Sequence, residues 1–187
     1  MKQPKSVPGG AMSKDAIRAV EKLWSLTVKS RALCPYASDS AIGSCGYLSP
    51  PWYRKRGAVY FVNLAQPLTA DDVKELRQIG EFINRSLIIS MAAVLEEHGV
   101  VPYRGTPDCS KKGGKHAKLA KRLRNHFAHG EWVYDANDSN HVETRNLLLE
   151  LFPDGGGKGL GFVTSIDEIL EPLKDGVLAY IRAVTSQ

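Results

Sequence analysis

The segment from Thr69 to His98 constrains the fold most, because its pattern predicts one unusually long helix. Thr69 and Asp72 resemble a capping box in which Asp replaces the usual Glu, and Gly99 is placed to end the helix. Apolar residues recur at helical spacing and predict a core stripe of Leu76, Ile79, Ile83, Leu87, Met91, Val94 and Leu95. The run Leu87-Ile88-Ile89 puts apolar side chains on more than one face, so the helix is either central or shared with a partner chain.

The spacing of apolar residues predicts four further helices. They cover residues 13–33, 115–129, 139–152 and 165–184. Pro172 limits or kinks the last of them, because proline has no backbone N–H. The short apolar run 58–64 fits a strand or a helix equally well. No internal repeat and no dividing linker separates these segments, so we expect an all-α fold of four to five helices in a single domain spanning residues 1–187.

Three segments are expected to lie outside the helices. Residues 1–12 have no apolar run after their charges, so they read as a disordered leader and not as a signal peptide. Residues 34–57 form a long loop ending in Trp52 to Arg56, aromatic and basic residues that either anchor the loop or contact nucleic acid. Residues 153–161 form a Gly-rich connection. It is no phosphate-binding loop, because GxxxxGK[ST] is absent and no strand precedes it.

The distribution of basic residues is more informative than the total charge. A net charge of +5 and a pI of about 9.1 are mild for a nucleic-acid-binding protein. The chain nevertheless has a run of basic residues uninterrupted by any acid, consisting of Lys111, Lys112, Lys115, Lys118, Lys121, Arg122 and Arg124. This run is either a solvated helix face or a surface that binds the phosphates of RNA.

Composition argues against several other classes of protein. No apolar stretch approaches the ~18 residues of a membrane-spanning helix. Cys34, Cys45 and Cys109 are odd in number and irregular in spacing, so they predict no disulfide framework, and a reducing cytoplasm is expected. Because Cys34 and Cys45 lack the ligand spacing of a zinc site, we expect no metal and no other cofactor.

The segment 122–130 (RLRNHFAHG) ends the third predicted helix and concentrates the candidate chemistry. The buried stripe of this helix is predicted to be Leu119, Leu123 and Phe127. Arg124 falls in line with Ala120 and Ala128, two small residues that let another helix approach closely. We therefore expect Arg124 to face a crevice.

Arg124, Asn125 and His129 have complementary chemical capacities. Arg124 carries a permanent charge and a planar fork of donors suited to phosphate. Asn125 and His129 lie four residues apart and are neighbours on one face, where Asn125 can orient His129. His129 can exchange protons near neutral pH. Alternatively, Arg124 and His129 are cations that only complement the dipole at the end of a helix.

The string Arg124-Asn125-x-x-x-His129, closing a helix of alternating leucine and basic residues, resembles the motif of HEPN domains. That motif is Arg, four residues and then His, often with Asn directly after the Arg. Residues 83–99 (INRSLIISMAAVLEEHG) also resemble the family's long central helix. The resemblance covers residues 69–152 well and the terminal helices by pattern only. It implies an up-and-down helical bundle that commonly forms a homodimer with two motifs at the interface.

The resemblance further implies a metal-independent endoribonuclease of the toxin or defence type. Arg124 would bind the scissile phosphate and stabilise its developing charge, and His129 would act as general acid or base for attack by the ribose 2′-hydroxyl. Asn125 would position His129 or the phosphate. The implied partners are RNA, a second copy of the chain, and an antitoxin or nucleotidyltransferase. One subgroup is regulated through a Tyr two residues after the His, and because Glu131 stands here that regulation is not expected.

Two other functions stay open. HEPN-like domains also occur as non-catalytic modules that bind nucleotides or proteins. The chain could instead be a structural helical protein whose Arg and His merely finish a helix. An enzyme predicts toxicity on expression that His129→Ala relieves, whereas a binding module predicts stabilisation by nucleotides or a partner. A structural protein predicts that Arg124→Ala changes stability more than any function.

Overall fold

A computed structural model describes residues 9–34, 39–48, 61–128, 134–153 and 166–186. These residues form five helices: α1 (Gly9–Leu33), α2 (Ala70–Glu97), α3 (Gly114–Ala128), α4 (Ser139–Leu151) and α5 (Ile166–Thr185). A 3₁₀ turn covers Asp39–Ala41. Two short antiparallel strands, β1 (Gly46–Leu48) and β2 (Phe61–Asn63), pair with Tyr47 opposite Val62. The described chain is mostly helical, so the all-α expectation is confirmed.

The helices begin and end close to their predicted positions, with two differences in the segments predicted to lie outside them. Helix α1 begins at Gly9, so residues 9–12 are helical and not part of a leader. The predicted loop 34–57 contains the 3₁₀ turn and β1, because residues 46–48 pair with β2. Three predictions lie partly or wholly outside the described residues: residues 1–8 of the leader, residues 35–38 and 49–57 of the loop with its Trp52 to Arg56 end, and residues 154–161 of the Gly-rich connection.

The chain forms two compact units, residues 24–87 and residues 1–23 with 88–187. In the first unit, Leu68 and Val73 are buried and have Ala41, Leu64 and Leu76 packed against them. Backbone hydrogen bonds from Gly43 N to Leu68 O (2.8 Å) and from Leu68 N to Ser44 O (3.0 Å) fix the segment before α2.

The predicted capping box at the start of α2 is confirmed. Thr69 N and Oγ1 donate to Asp72 Oδ2 at 2.7 and 2.6 Å, and Asp72 N donates back to Thr69 Oγ1 at 3.1 Å. These bonds lower the pKa of Asp72, because they favour its charged form. Helix α2 ends at Glu97, and Gly99 follows with a φ of +63°. Both ends of α2 therefore use the sequence signals that predicted them.

The core stripe of α2 differs from the prediction at Ile79. Leu87, Met91, Val94 and Leu95 are buried as expected, and Leu76 and Ile83 are half-buried, but Ile79 is 43% exposed. The cause is Arg31, whose buried side chain occupies the position beside Gly80. A Cβ at Gly80 would lie 2.1 Å from Arg31 Nη1, so only glycine leaves the guanidinium this space. The buried face therefore runs through Gly80, and Ile79 lies outside it.

Two glycines, Gly113 and Gly176, bring the start of α3 and α5 into close contact in the second unit, and a third, Gly114, packs against the preceding loop. A Cβ at Gly113 would lie 2.1 Å from Gly176 O, and one at Gly114 would lie 2.0 Å from Asp108 O. A Cβ at Gly176 would meet the His116 ring at 2.1 Å. Asp108 N also donates to the hydroxyl of Tyr180 on α5 at 3.0 Å. These contacts fix the beginning of α3, the helix that carries the candidate site.

The N-cap of α4 is Asp138, one residue before the predicted helix 139–152. The Asp138 side chain accepts from Asn140 N at 2.7 Å, and its backbone is extended, with a φ of −85° and a ψ of 114°. Asp138 has the extended backbone and short acceptor side chain that N-cap residues require. Ser139 and Asn140 instead form the first turn of the helix.

We expect the free energy of unfolding to fall as pH drops below about 6.5 because of His116. Burial lowers the pKa of His116 below its ordinary value of 6.5, since the site beside Gly176 and Phe152 disfavours the charged ring. The unfolded chain therefore takes up this proton at a higher pH than the folded chain. The contribution of neutral His116 to the free energy of unfolding is complete above pH 6.5. It is lost as the pH falls through the lowered pKa that His116 has in the folded chain.

Urea denaturation at a series of pH values, with His116→Phe as the comparison, measures this effect. The variant should lose the decline just below pH 6.5. It should keep any decline at more acidic pH, because there the carboxylates with lowered pKa values, such as Asp72 and Asp138, are the groups that titrate. Parallel curves for the two proteins above pH 5 would contradict the assignment to His116.

Candidate functional site

Helix α3 presents one apolar and one basic face. Leu119 and Leu123 are buried as predicted, whereas Phe127 is only half-buried. Ala120 is fully buried, but Ala128 is exposed, so only the first of the two alanines lies in a close contact. The Arg124 side chain, in line with them, is 29% exposed.

The basic face of α3 lines a groove with a volume of about 460 Å³, which we call the basic groove. Five cationic side chains line it: Arg104, Lys118, Lys121, Arg122 and Arg124. Glu96, near the end of α2, is its one acidic residue among those described. Its size is within the range of small-molecule sites, and its charge favours an anionic ligand.

Glu96 bridges two of these cations. Its Oε1 lies 2.6 Å from Lys121 Nζ, and its Oε2 accepts from Arg124 Nη2 at 2.6 Å. The side chains of Glu96 and Lys121 are each 12% exposed, so this contact is shielded from solvent. Because one carboxylate faces two cations, the cluster keeps one net positive charge.

Glu143 on α4 forms a second bridge of the same kind. It pairs with Lys118 and Arg122, and Arg122 also donates to Asn140. The hydrogen bond from Lys118 lowers the pKa of Glu143, and the charges of Arg122 and Lys118 act in the same direction against burial. This cluster also has one negative charge for two positive charges, so ion pairing leaves the basic groove electropositive.

The structure brings together some of the predicted RNA-binding residues and separates others. Lys118, Lys121 and Arg122 line the basic groove, but Lys111, Lys112 and Lys115 are not among its lining residues. Lys115 pairs with Glu150 on α4, which raises the pKa of Lys115. Lys111 and Lys112 precede α3.

Two of the three residues of the predicted motif line the basic groove. Arg124 and Asn125 both contribute to its wall, and Asn125 is exposed. Arg124 uses Nη2 for Glu96, and among the described residues no other protein acceptor takes its remaining donors. His129 and the predicted helix-ending Gly130 lie outside the described residues.

His126, the other histidine of the motif, packs toward α4. Its Nε2 lies 3.1 Å from Oγ1 of the buried Thr144, and its ring meets the His141 ring edge-on with centroids 4.9 Å apart. His141 in turn accepts a hydrogen bond from Asp135 N at 3.0 Å. His126 therefore supports the packing of α3 on α4.

The sequence did not single out Glu96, Tyr103 or Arg104, three of the residues that line the basic groove. Pro102 and Gly105 do predict a turn, and Gly105 N donates to Pro102 O at 2.7 Å. Lys121 Nζ donates to Gly105 O at 2.8 Å and so ties this turn to α3. Nothing in the sequence around Glu96 distinguishes it from an ordinary surface carboxylate, because its partners lie 25 or more residues later.

Within the described ranges, no helix combines the length and apolarity needed to cross a membrane. Among the same residues, no three His, Cys, Asp or Glu side chains are placed to share a metal ion. Comparison of the chain with protein-family models, with curated proteins and with solved structures gives no match.

Proposed function

We propose that this protein is a HEPN-like, metal-independent endoribonuclease of the toxin or defence type, with an up-and-down helical bundle fold. The observation that carries the proposal is that Arg124 and Asn125 line the same groove as Lys118, Lys121 and Arg122. An electropositive groove that also contains a guanidinium and an amide suits an RNA phosphate.

The reaction needs no component beyond RNA and these side chains. The 2′-oxygen attacks the adjacent phosphorus, the bond from phosphorus to the 5′-oxygen breaks, and a 2′,3′-cyclic phosphate remains. The 2′-hydroxyl loses its proton to a base, and the departing 5′-oxygen gains one from an acid. His129 supplies one of these transfers, which typically contributes about 10²–10⁴-fold.

Arg124 supplies the charge stabilisation. Two of its five N–H donors are on Nη2, which contacts Glu96, so the others are available for a phosphate oxygen. Glu96 fixes the guanidinium, and a fixed donor needs no reorganisation when charge develops in the transition state. Asn125, one residue later on α3, positions the phosphate or His129 by hydrogen bonding.

A homodimer is part of the proposal, because one His129 can act as base while the partner's His129 acts as acid. Exposed apolar side chains on α2 support it. Phe82 is 71% exposed and Ile79 is 43% exposed, on the helix predicted to be either central or shared with a partner chain.

The decisive experiment is incubation of a mixed RNA pool with purified protein in excess EDTA, with the molecular mass measured by light scattering. We expect a dimer that cleaves RNA and leaves 2′,3′-cyclic phosphate ends, whereas His129→Ala protein is folded and inactive. Arg18→Ala, which removes an exposed arginine of α1 outside the groove lining, should cleave like the wild type.

A non-catalytic nucleotide-binding module is the second candidate. The volume of the basic groove, about 460 Å³, favours it, because a single nucleotide fits such a site without a longer RNA. This module predicts no cleavage by a folded dimer, together with a rise in melting temperature on adding nucleotides. That pair of results would replace the ribonuclease proposal.

A further inference from the structure

The turn Pro102–Gly105 at the basic groove contains an unusual backbone conformation. Arg104 has a φ of +62° and is, among the described residues, the one non-glycine residue with a positive φ. It is the third residue of a turn closed by the hydrogen bond from Gly105 N to Pro102 O. Glycine or asparagine normally takes such a position, because a Cβ there is disfavoured.

Hydrogen bonds on both sides of the turn hold Arg104 in this conformation. Lys121 Nζ donates to Gly105 O at 2.8 Å, and Val101 N donates to Leu95 O at 2.9 Å, with Val101 buried. Gly105 has no room for a side chain, since a Cβ there would lie 2.9 Å from Pro102 O. The turn is therefore rigid, and its strained residue is a cationic one. Retained strain of this kind is a feature of ligand-binding sites.

The residue before it, Tyr103, is an exposed aromatic in the same groove. Tyr103 is 74% exposed although it lines the basic groove. The guanidinium carbon of Arg104 lies 5.5 Å from the Tyr103 ring centroid, so the cation and the ring are adjacent. A flat aromatic surface beside a cation matches the two parts of a nucleotide, a base and its phosphate.

We propose that Tyr103 and Arg104 form a nucleotide subsite for single-stranded RNA, in which a base stacks on Tyr103 and an adjoining phosphate contacts Arg104. This inference rests on the proposed function and extends the RNA site from Arg124 and Asn125 along the groove to the Pro102–Gly105 turn. The subsite requires an unpaired base, so it selects single-stranded RNA over a duplex.

Binding measurements with His129→Ala protein test the subsite without cleavage of the probe. The probe is a short fluorescent single-stranded oligoribonucleotide, and its comparison is the same strand with abasic residues. Tyr103→Ala should weaken binding of the normal strand about 10-fold or more, and Tyr103→Phe should preserve it. On the abasic strand, Tyr103→Ala should have no effect, because no base is present to stack.

Arg104→Gly tests the cation and the strain together. The slope of log affinity against log salt should become shallower by about 0.7, the value for one phosphate contact on a single strand. The melting temperature should be unchanged or higher, because glycine adopts a φ of +62° without strain. Arg18→Ala is the control for loss of one positive charge outside the basic groove.

Each outcome decides between distinct conclusions. Equal weakening of the normal and abasic strands by Tyr103→Ala would show a structural role and overturn the subsite, while the ribonuclease proposal would stand. An unchanged salt slope in Arg104→Gly, or a lower melting temperature of that variant, would also overturn the subsite. A nucleoside monophosphate that binds as tightly as the strand would overturn the choice of RNA. No binding of any probe would overturn both proposals.

Discussion

Replacing Gly113 by alanine is expected to lower the free energy of unfolding by about 3 kcal/mol. Two costs add at this position. The φ of +79° disfavours any residue with a Cβ, and the new Cβ would lie 2.1 Å from Gly176 O and 2.7 Å from Tyr180 N. Both atoms belong to the α5 backbone, so no side-chain rotation relieves the contact. For a chain of this size, the loss corresponds to a fall in melting temperature of about 6–12 °C.

The matched control is Gly43→Ala, which carries the conformational cost alone. Gly43 has a φ of +82°, and a Cβ there meets nothing within 4 Å. We expect this variant to lose only about 1 kcal/mol. Gly99→Ala adds a control in the same compact unit as Gly113, at a φ of +63° and an exposed position. Melting followed by far-UV circular dichroism compares the three variants. Equal losses in all three variants would mean that the start of α3 and α5 are less tightly packed than in this structure.

The helices could be predicted from sequence because their signals are local. Thr69 and Asp72 lie within one turn of each other, and their reciprocal hydrogen bonds depend only on that spacing. Leu119 and Leu123 likewise share a face through helical geometry alone, and both are buried. Contacts of this kind need no knowledge of the remainder of the chain.

Ile79 and Gly80 illustrate where local reasoning fails. Helical spacing put Ile79 in the core, but the buried position is Gly80, because Arg31 from α1 occupies the space beside it. A buried arginine is uncommon, and no pattern in α2 indicates that one packs there. The exposure of Ile79 is therefore set by a residue about fifty positions earlier in the chain.

The candidate site was likewise only half predictable. The spacing on α3 correctly put Arg124 in a crevice, because residues on one helix have fixed relative positions. The sequence did not indicate that Glu96 and Glu143 each neutralise part of the basic run, since these pairs form across different helices. It gave no reason to select Arg104, whose distinctive feature is a backbone angle.

The proposed ribonuclease function predicts that Arg124→Lys lowers the rate of RNA cleavage about 100-fold or more, with little change in stability. Lysine keeps the charge and can still pair with Glu96 Oε2. The three N–H donors of an ammonium all lie on one nitrogen, however, so a lysine that pairs with Glu96 has no second nitrogen fixed toward the phosphate. The guanidinium can contact both, because only its Nη2 is used by Glu96. The loss should therefore fall on kcat and leave KM nearly unchanged.

Arg124→Ala separates this role from simple electrostatic attraction. It should lose at least as much activity as Arg124→Lys and recover part of it when free guanidinium ion is added at a non-denaturing concentration, since the cavity left by the side chain accepts the missing group. Glu96 keeps Lys121 as a partner in this variant, so we expect only about 1 kcal/mol of lost stability. Arg18→Lys is the control for the same chemical change at an exposed site. A KM increase at constant kcat in Arg124→Lys would make Arg124 a residue for binding RNA and remove it from the chemical step.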